Sequence, residues 1–180
     1  VKSTNNGEVI LENGEIEKFD FVVSANSLEQ KNVEWNACSC LYFEVPKSTF
    51  KHKLIALVAN EKVLINNLHF VSDVQKLDSD KGILSVTVVK THNHNEQELI
   101  EIVRGELASE CGISSAKFIR QFNIPRALPT NQNVSYLPNT ENIWLDNKTV
   151  AAGDYLANGS LNAAMLSGKV AADAIKLKCS

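Results

Sequence analysis

The chain is most tightly constrained near its C-terminus, where Val150-Ala151-Ala152-Gly153-Asp154 leads through Gly159-Ser160 into a long proline-free run. Val150 to Ala152 reads as a short buried strand. Gly153 allows a turn or a close backbone approach. Gly159 and Ser160 read as loop and cap, because a Ser oxygen at a helix start accepts from one of the first free amides. From Leu161, small or apolar residues recur at 161, 164, 165, 168, 171, 172 and 175, which predicts one helical face. Ala164, Gly168 and Ala171 on that face allow close packing against a sheet. A helix start exposes N–H groups and partial positive charge, suited to a phosphate or another electron-rich group. In an open α/β sheet that place lies beyond the carboxyl ends of the strands, where Asp154 could accept from a sugar hydroxyl. An ordinary strand–loop–helix connection satisfies the same spacing, and spacing alone leaves both readings open.

A resemblance narrows the choice. Ala152-Gly153-Asp154, Gly159-Ser160, Ala163-Ala164, Ser167-Gly168 and Ala171-Ala172 resemble the C-terminal FAD-binding motif of the flavin-containing amine oxidase and phytoene desaturase superfamily. Tyr136-Leu137-Pro138 and Asn142-Ile143-Trp144-Leu145 precede it in the same order. The resemblance implies that the Gly-Asp pair lies by the ribityl-pyrophosphate part of FAD and that the next helix points at the flavin ring. Implied cofactor contacts are Gly153, Asp154, Gly159, Ser160, Asn162 and Ala163, through backbone as much as side chain.

The start of the chain fits the same family. Lys2 to Gly7 is turn-rich, Glu8 to Glu12 reads as a strand, Asn13-Gly14 as a hairpin turn and Glu15 to Lys18 as the returning strand. Phe21 to Val23 suits a fully buried strand. The family's Gly-x-Gly-x-x-Gly fingerprint does not occur in this sequence. The expectation is therefore the C-terminal part of a longer chain, with the first βαβ unit on a missing N-terminal FAD-domain segment. The present chain would then hold only part of an FAD site.

The middle section changes character after a polar stretch, Ser27 to Asn32. Apolar runs at Cys38–Val45 (stopped by Pro46), Leu54–Ala59, Val63–Val71 and Gly82–Lys90 predict an antiparallel sheet, with a turn expected at Asn66-Asn67. Asn95 and Glu98 form a capping-box pattern ahead of a stripe at Leu99, Val103, Leu107 and Cys111, with Gly112 as the stop. Phe118 to Phe122 is a further strand, which the prolines at 125 and 129 should end. In the family an Ala-x-Pro segment, matched by Ala127-Leu128-Pro129, lies near the flavin, and the Trp that many members carry before it is replaced by Phe122 and Ile124.

The fold expected is α/β (α+β mixed): the C-terminal half of a Rossmann-like FAD-binding domain, residues 1–30 and 140–180, with an inserted antiparallel-sheet substrate domain, residues 31–139. The function expected is FAD-dependent oxidation or desaturation of a small or apolar organic substrate by hydride transfer to the flavin. Amine oxidation is an alternative, weakened because Trp35 to Phe43 has no Lys where the amine-oxidising branch often carries one. A noncatalytic remnant or binding module that keeps the fold is another. No catalytic acid or base is assigned. Leu, Phe and Tyr of the sheet could wall a substrate, although core is the simpler role for most of them.

The net charge is −3 with no basic face, which argues against a nucleic-acid partner. No apolar run approaches the ~18 residues that span a bilayer. The 4 cysteines are scattered, which points to a reducing compartment and a cytoplasmic protein. Cys38-x-Cys40 reads as a buried thiol pair, His92-x-His94 as a solvated loop, His69 as a strand residue and His52 as part of a basic turn, so no metal is expected.

Overall fold

The computed structural model describes residues 1–26, 33–47, 50, 53–74, 80–130, 134–138 and 143–180. The polar stretch at 27–32, His52 and Asn142 lie outside them. In chain order the strands are β1 (Ser3–Asn5), β2 (Glu8–Ile10), β3 (Ile16–Lys18), β4 (Val22–Ser24), β5 (Trp35–Pro46), β6 (Ala56–Leu57), β7 (Ile65–Phe70), β8 (Lys81–Val88), β9 (Lys117–Pro129) and β10 (Thr149–Ala151). The helices are α1 (Glu96–Cys111) and α2 (Leu161–Cys179). The chain divides into a split unit, Val1–Trp35 with Leu128–Ser180, and a central unit, Asn36–Ala127. It is a mixed α/β fold in which most strand pairing is antiparallel.

In the split unit β1, β2 and β3 form an antiparallel meander. The expected turn at Asn13-Gly14 is there, with Gly14 at φ 87°. The stretch before it is a second hairpin rather than only turn: Asn6 and Gly7 both take positive φ, so Asn5 pairs back on Glu8. Two successive left-handed residues match the twist of the flanking strands, which is why Asn-Gly closes such a loop. Asp146 fastens this turn. Its carboxylate accepts from the Asn6 N–H at 2.8 Å and from the Lys148 and Thr149 N–H groups at 2.8 and 2.7 Å. Burial alone would raise its pKa, but these bonds outweigh that and hold the carboxyl below its usual range.

The parallel pair β4–β10 aligns Val22 with Thr149 and Ser24 with Ala151. Full burial of Phe21 to Val23 is not observed: Val23 is 46% exposed. Among the described residues β4 has a ladder partner on one side only. Ile143, Val150 and Ala152 pack with Ala171 of α2, joined by Val170, Ala174 and Ile175. The buried face of α2 therefore runs through Ala163, Ser167 and Ala171; of the expected stripe it keeps Ala171, with Ile175 partly buried beside it. Leu161 and Met165 of that stripe are 77% and 70% exposed. The count of apolar residues passed over Ser167, whose hydroxyl is buried because it is hydrogen-bonded.

In the central unit the sheet order is β6-β7-β8-β5-β9. Alternation sends Leu41, Phe43 and Val45 of β5 and Leu84, Val86 and Val88 of β8 into one core with Leu99, Val103 and Leu107 of α1. The predicted helix start is present, since Asn95 and Glu98 exchange side-chain and backbone bonds, and Gly112 ends α1 at φ 69°. Asn66-Asn67 is a bulge rather than a turn: Ile65 faces Val88 and Asn67 faces Thr87, so β7 carries one extra residue and continues. Leu54 to Ala59 contributes only the short β6. The prolines of β9 do not end it, because β9 is an edge strand. A missing N–H is harmless where it would face outward.

Candidate functional site

The residues singled out by sequence lie on one continuous strand–turn–helix in the split unit. The ladder of β10 runs on through Ala152, whose N–H donates to the Ser24 carbonyl at 2.9 Å. Gly153 follows in extended backbone, and Asp154–Leu156 form a single 3-10 turn. An added Cβ at Gly153 would strike the Tyr155 ring at 2.3 Å, so the close approach expected there is made by a neighbouring side chain. The Asp154 carbonyl accepts from the Ala157 and Gly159 amides, each at 3.1 Å. Gly159 is left-handed at φ 67°, and a Cβ there would meet Leu128 Cδ1 at 3.0 Å. Glycine is required twice over at this position.

Ser160 starts α2 as a cap, its Oγ accepting from the Ala163 N–H at 3.1 Å. The same hydroxyl donates to Asn158 Oδ1 at 2.6 Å, and Asn158 Nδ2 donates to the Ser135 carbonyl at 3.0 Å. Ser160 and Ala163 are thus spent on building the turn. Leu161 and Asn162, the first residues of α2, are exposed, and helix geometry gives their amides no intrahelical partner. Asp154, seven residues ahead of Leu161, is half-buried. The features available to a ligand are a carboxylate, a pair of amides at a helix start, and the carboxyl ends of two parallel strands.

The space beside Gly153 and Gly159 is filled by Tyr155 and Leu128, so neither glycine leaves room for a ligand. One buried polar group at the same end of the strands is open. At the carboxyl end of β4, the buried Ser24 hydroxyl, 4% exposed, has no partner among the described residues. Sequence reasoning named Ser167 only within the motif, with no role of its own, and missed Asp146. Ser167 stands out as a polar position among small ones. Asp146 gave the stronger signal, an Asp three residues ahead of a strand, which is how a side chain closes a turn on its own backbone.

In the central unit the sheet face away from α1 carries the alternate residues. Tyr42 pairs with Ser85, which also pairs with His69, and Cys40 pairs with Thr87, which also pairs with Asn67. Leu41 and Phe43, expected as wall or core, are core. Tyr42 meets Phe122 edge to face at 5.9 Å, and Arg120 lies over the Phe122 ring at 5.3 Å. Cys38 and Cys40 are half-buried free thiols. Burial, and then the charge of Cys40, push the Cys38 pKa up, which suppresses the reactive thiolate. His92 and His94 stack at 5.7 Å, and no group of three metal-ligating side chains occurs among the described residues. No helix of the described residues is long and apolar enough to cross a membrane.

No protein-family model matches the chain, and no curated protein matches it. Solved structures share the fold. A reduced UDP-galactopyranose mutase aligns over 69% of this chain and 33% of its own at TM-score 0.56 and 12% identity. An oxidoreductase from Methanosarcina mazei aligns over 91% of this chain and 44% of its own at 0.61 and 13%. An iminodiacetate oxidase from Chelativorans sp. BNC1 aligns over 96% and 47% at 0.59 and 10%. The chain spans from a third to just under half the length of these structures.

Proposed function

We propose that this chain is part of an FAD-dependent oxidoreductase of the flavin-containing amine oxidase and phytoene desaturase superfamily. The observation that carries the reading is the turn between β10 and α2, which follows the carboxyl end of a parallel strand pair, holds Asp154 and opens α2 on the amides of Leu161 and Asn162. The fold shared with structures named as an oxidoreductase and an oxidase supports it. In this reading residues 1–30 and 140–180 belong to a Rossmann-like FAD domain and residues 31–139 to a substrate domain. The pyrophosphate-binding βαβ unit is supplied by a segment outside this sequence.

Bound FAD would supply the redox step, accepting hydride from the substrate. The protein residues hold and orient. The Asp154 carboxylate would accept from a sugar or ribityl hydroxyl, and the Leu161 and Asn162 N–H groups would donate to electron-rich atoms of the cofactor. Gly153, Gly159, Ser160 and Ala163 act by shaping the turn. The substrate is a small organic molecule with an apolar body. Tyr42 and Phe122 offer it aromatic surface, while Ser85, Thr87 and His69 offer hydrogen bonds on the same sheet face.

The test is a visible absorption spectrum of the purified chain, repeated with FAD and again with an upstream segment carrying strand, Gly-x-Gly-x-x-Gly and helix. A flavin band that persists through gel filtration only with that segment supports the split site. No retained flavin in any form overturns the oxidoreductase reading and leaves a noncatalytic module.

A further inference from the structure

We infer that Ser167 is a positioning residue for the cofactor turn, an inference that rests on the flavin reading above. Ser167 lies in the second turn of α2 and is 1% exposed. Its Oγ accepts from the Gly153 N–H at 2.8 Å and donates to the Ala164 carbonyl at 2.7 Å. Both bonds are short, and the hydroxyl is fully used.

The Gly153 amide explains why the bond matters. Through Ala152 the backbone N–H groups find ladder acceptors. Gly153 is the first residue past the ladder, and a half-buried amide there needs a partner. Ser167 supplies it from the helix whose start lies on the other side of the turn. One side chain therefore ties the strand end next to Asp154 to α2, the helix whose first amides, those of Leu161 and Asn162, would face the cofactor. The other bonds across the turn, from Leu156, Ala157 and Gly159 to the carbonyls of Gly153 and Asp154, are internal to it and do not reach α2. Nor can the turn tighten by a larger residue at 153, because the Tyr155 ring occupies that space. The bond to Ala164 fixes the rotamer of Ser167, as Ser and Thr hydroxyls do when they bond back along a helix.

The experiment uses the chain carrying the upstream segment, as wild type, Ser167→Ala and Ser167→Thr, with two readouts. Hydrogen exchange at the Gly153 amide should speed up about tenfold in Ser167→Ala, as expected for the loss of one buried hydrogen bond, with Val170 to Ala174 unchanged. The FAD dissociation constant should rise by about the same factor, and the bound-flavin band should shift, because the turn is no longer fixed. Ser167→Thr keeps Oγ and, in a helix, favours the rotamer that bonds the preceding turn, so it should restore both. Faster exchange with unchanged FAD affinity overturns the positioning role. Unchanged exchange overturns the bond itself. A wild type that binds no FAD while Gly153 exchange still responds overturns the flavin reading, and the proposed role with it.

Discussion

The central unit fills its interior with large side chains, whereas the split unit joins helix to strands through small ones. Phe43, Leu41, Leu84, Leu99 and Leu107 are wholly buried around α1. Each such side chain contributes roughly 1.5–3 kcal/mol on leaving water. In the split unit the contacts of α2 run through Ala163, Ser167 and Ala171, which bury far less apolar area. What that unit gains instead is a backbone held in place by Ser167, Ser160, Asn158 and Asp146. The lesson concerns division of labour. A sheet filled with Leu and Phe is stable and tolerant, and a turn that must present amides and a carboxylate needs close backbone approach and hydrogen bonds of fixed direction.

Four substitutions probe that contrast. Phe43→Ala, which also loses the edge contact to Phe118 at 5.9 Å, should cost about 3–5 kcal/mol in urea unfolding. A cost under about 1 kcal/mol would show that the central core is not the stabilising one. Ala171→Leu should cost about 1–3 kcal/mol by overpacking the close approach of α2. Leu161→Ala on the exposed face should change stability by less than about 0.5 kcal/mol; a cost above about 1 kcal/mol would return Leu161 to the buried face. Asn95→Ala, which removes the Oδ1 acceptor of the Glu98 N–H and leaves the backbone half of the capping box in place, should cost about 1 kcal/mol and lower the thermal midpoint without changing the fold.

The smallest effect is a pH dependence. The Asp146 carboxyl is lowered in the folded protein, so its contribution is present above the ordinary Asp value of about 3.9 and is lost as pH falls through the lower folded value. The stability gap between wild type and Asp146→Asn should be constant from neutral pH to about 5 and close below about 4. Comparing the two proteins cancels the other lowered carboxyls, Glu44 beside Lys81 and Asp173 beside Lys169. A gap that widens on acidification would contradict the turn-closing role.

Local chemistry was legible in the sequence and distant closure was not. The cap at Asn95, the stop at Gly112, the Ser160 cap and the Gly14 turn each depend on residues within six positions of one another, and the structure contains all of them. The bulge at Asn66 escaped because it is defined by the register of β8, some twenty residues on in the chain. The path of β9 through its prolines escaped because edge position is a property of the sheet. At the turn, glycine and serine positions were readable. The link from Gly153 to Ser167 was not, since it exists only once strand and helix have packed.

The prolines of β9 have a consequence for how this protein behaves in concentrated solution. A sheet border normally offers a row of donors and acceptors on which another extended chain can align. Pro125 and Pro129 interrupt that row on one border of the five-stranded sheet, and the strand on the other, β6, is two residues long. Neither border is a good template. The residues that most conflict with a regular strand are thus the ones that discourage foreign strands from extending the sheet, and replacing them with β-branched residues would create a site for self-association.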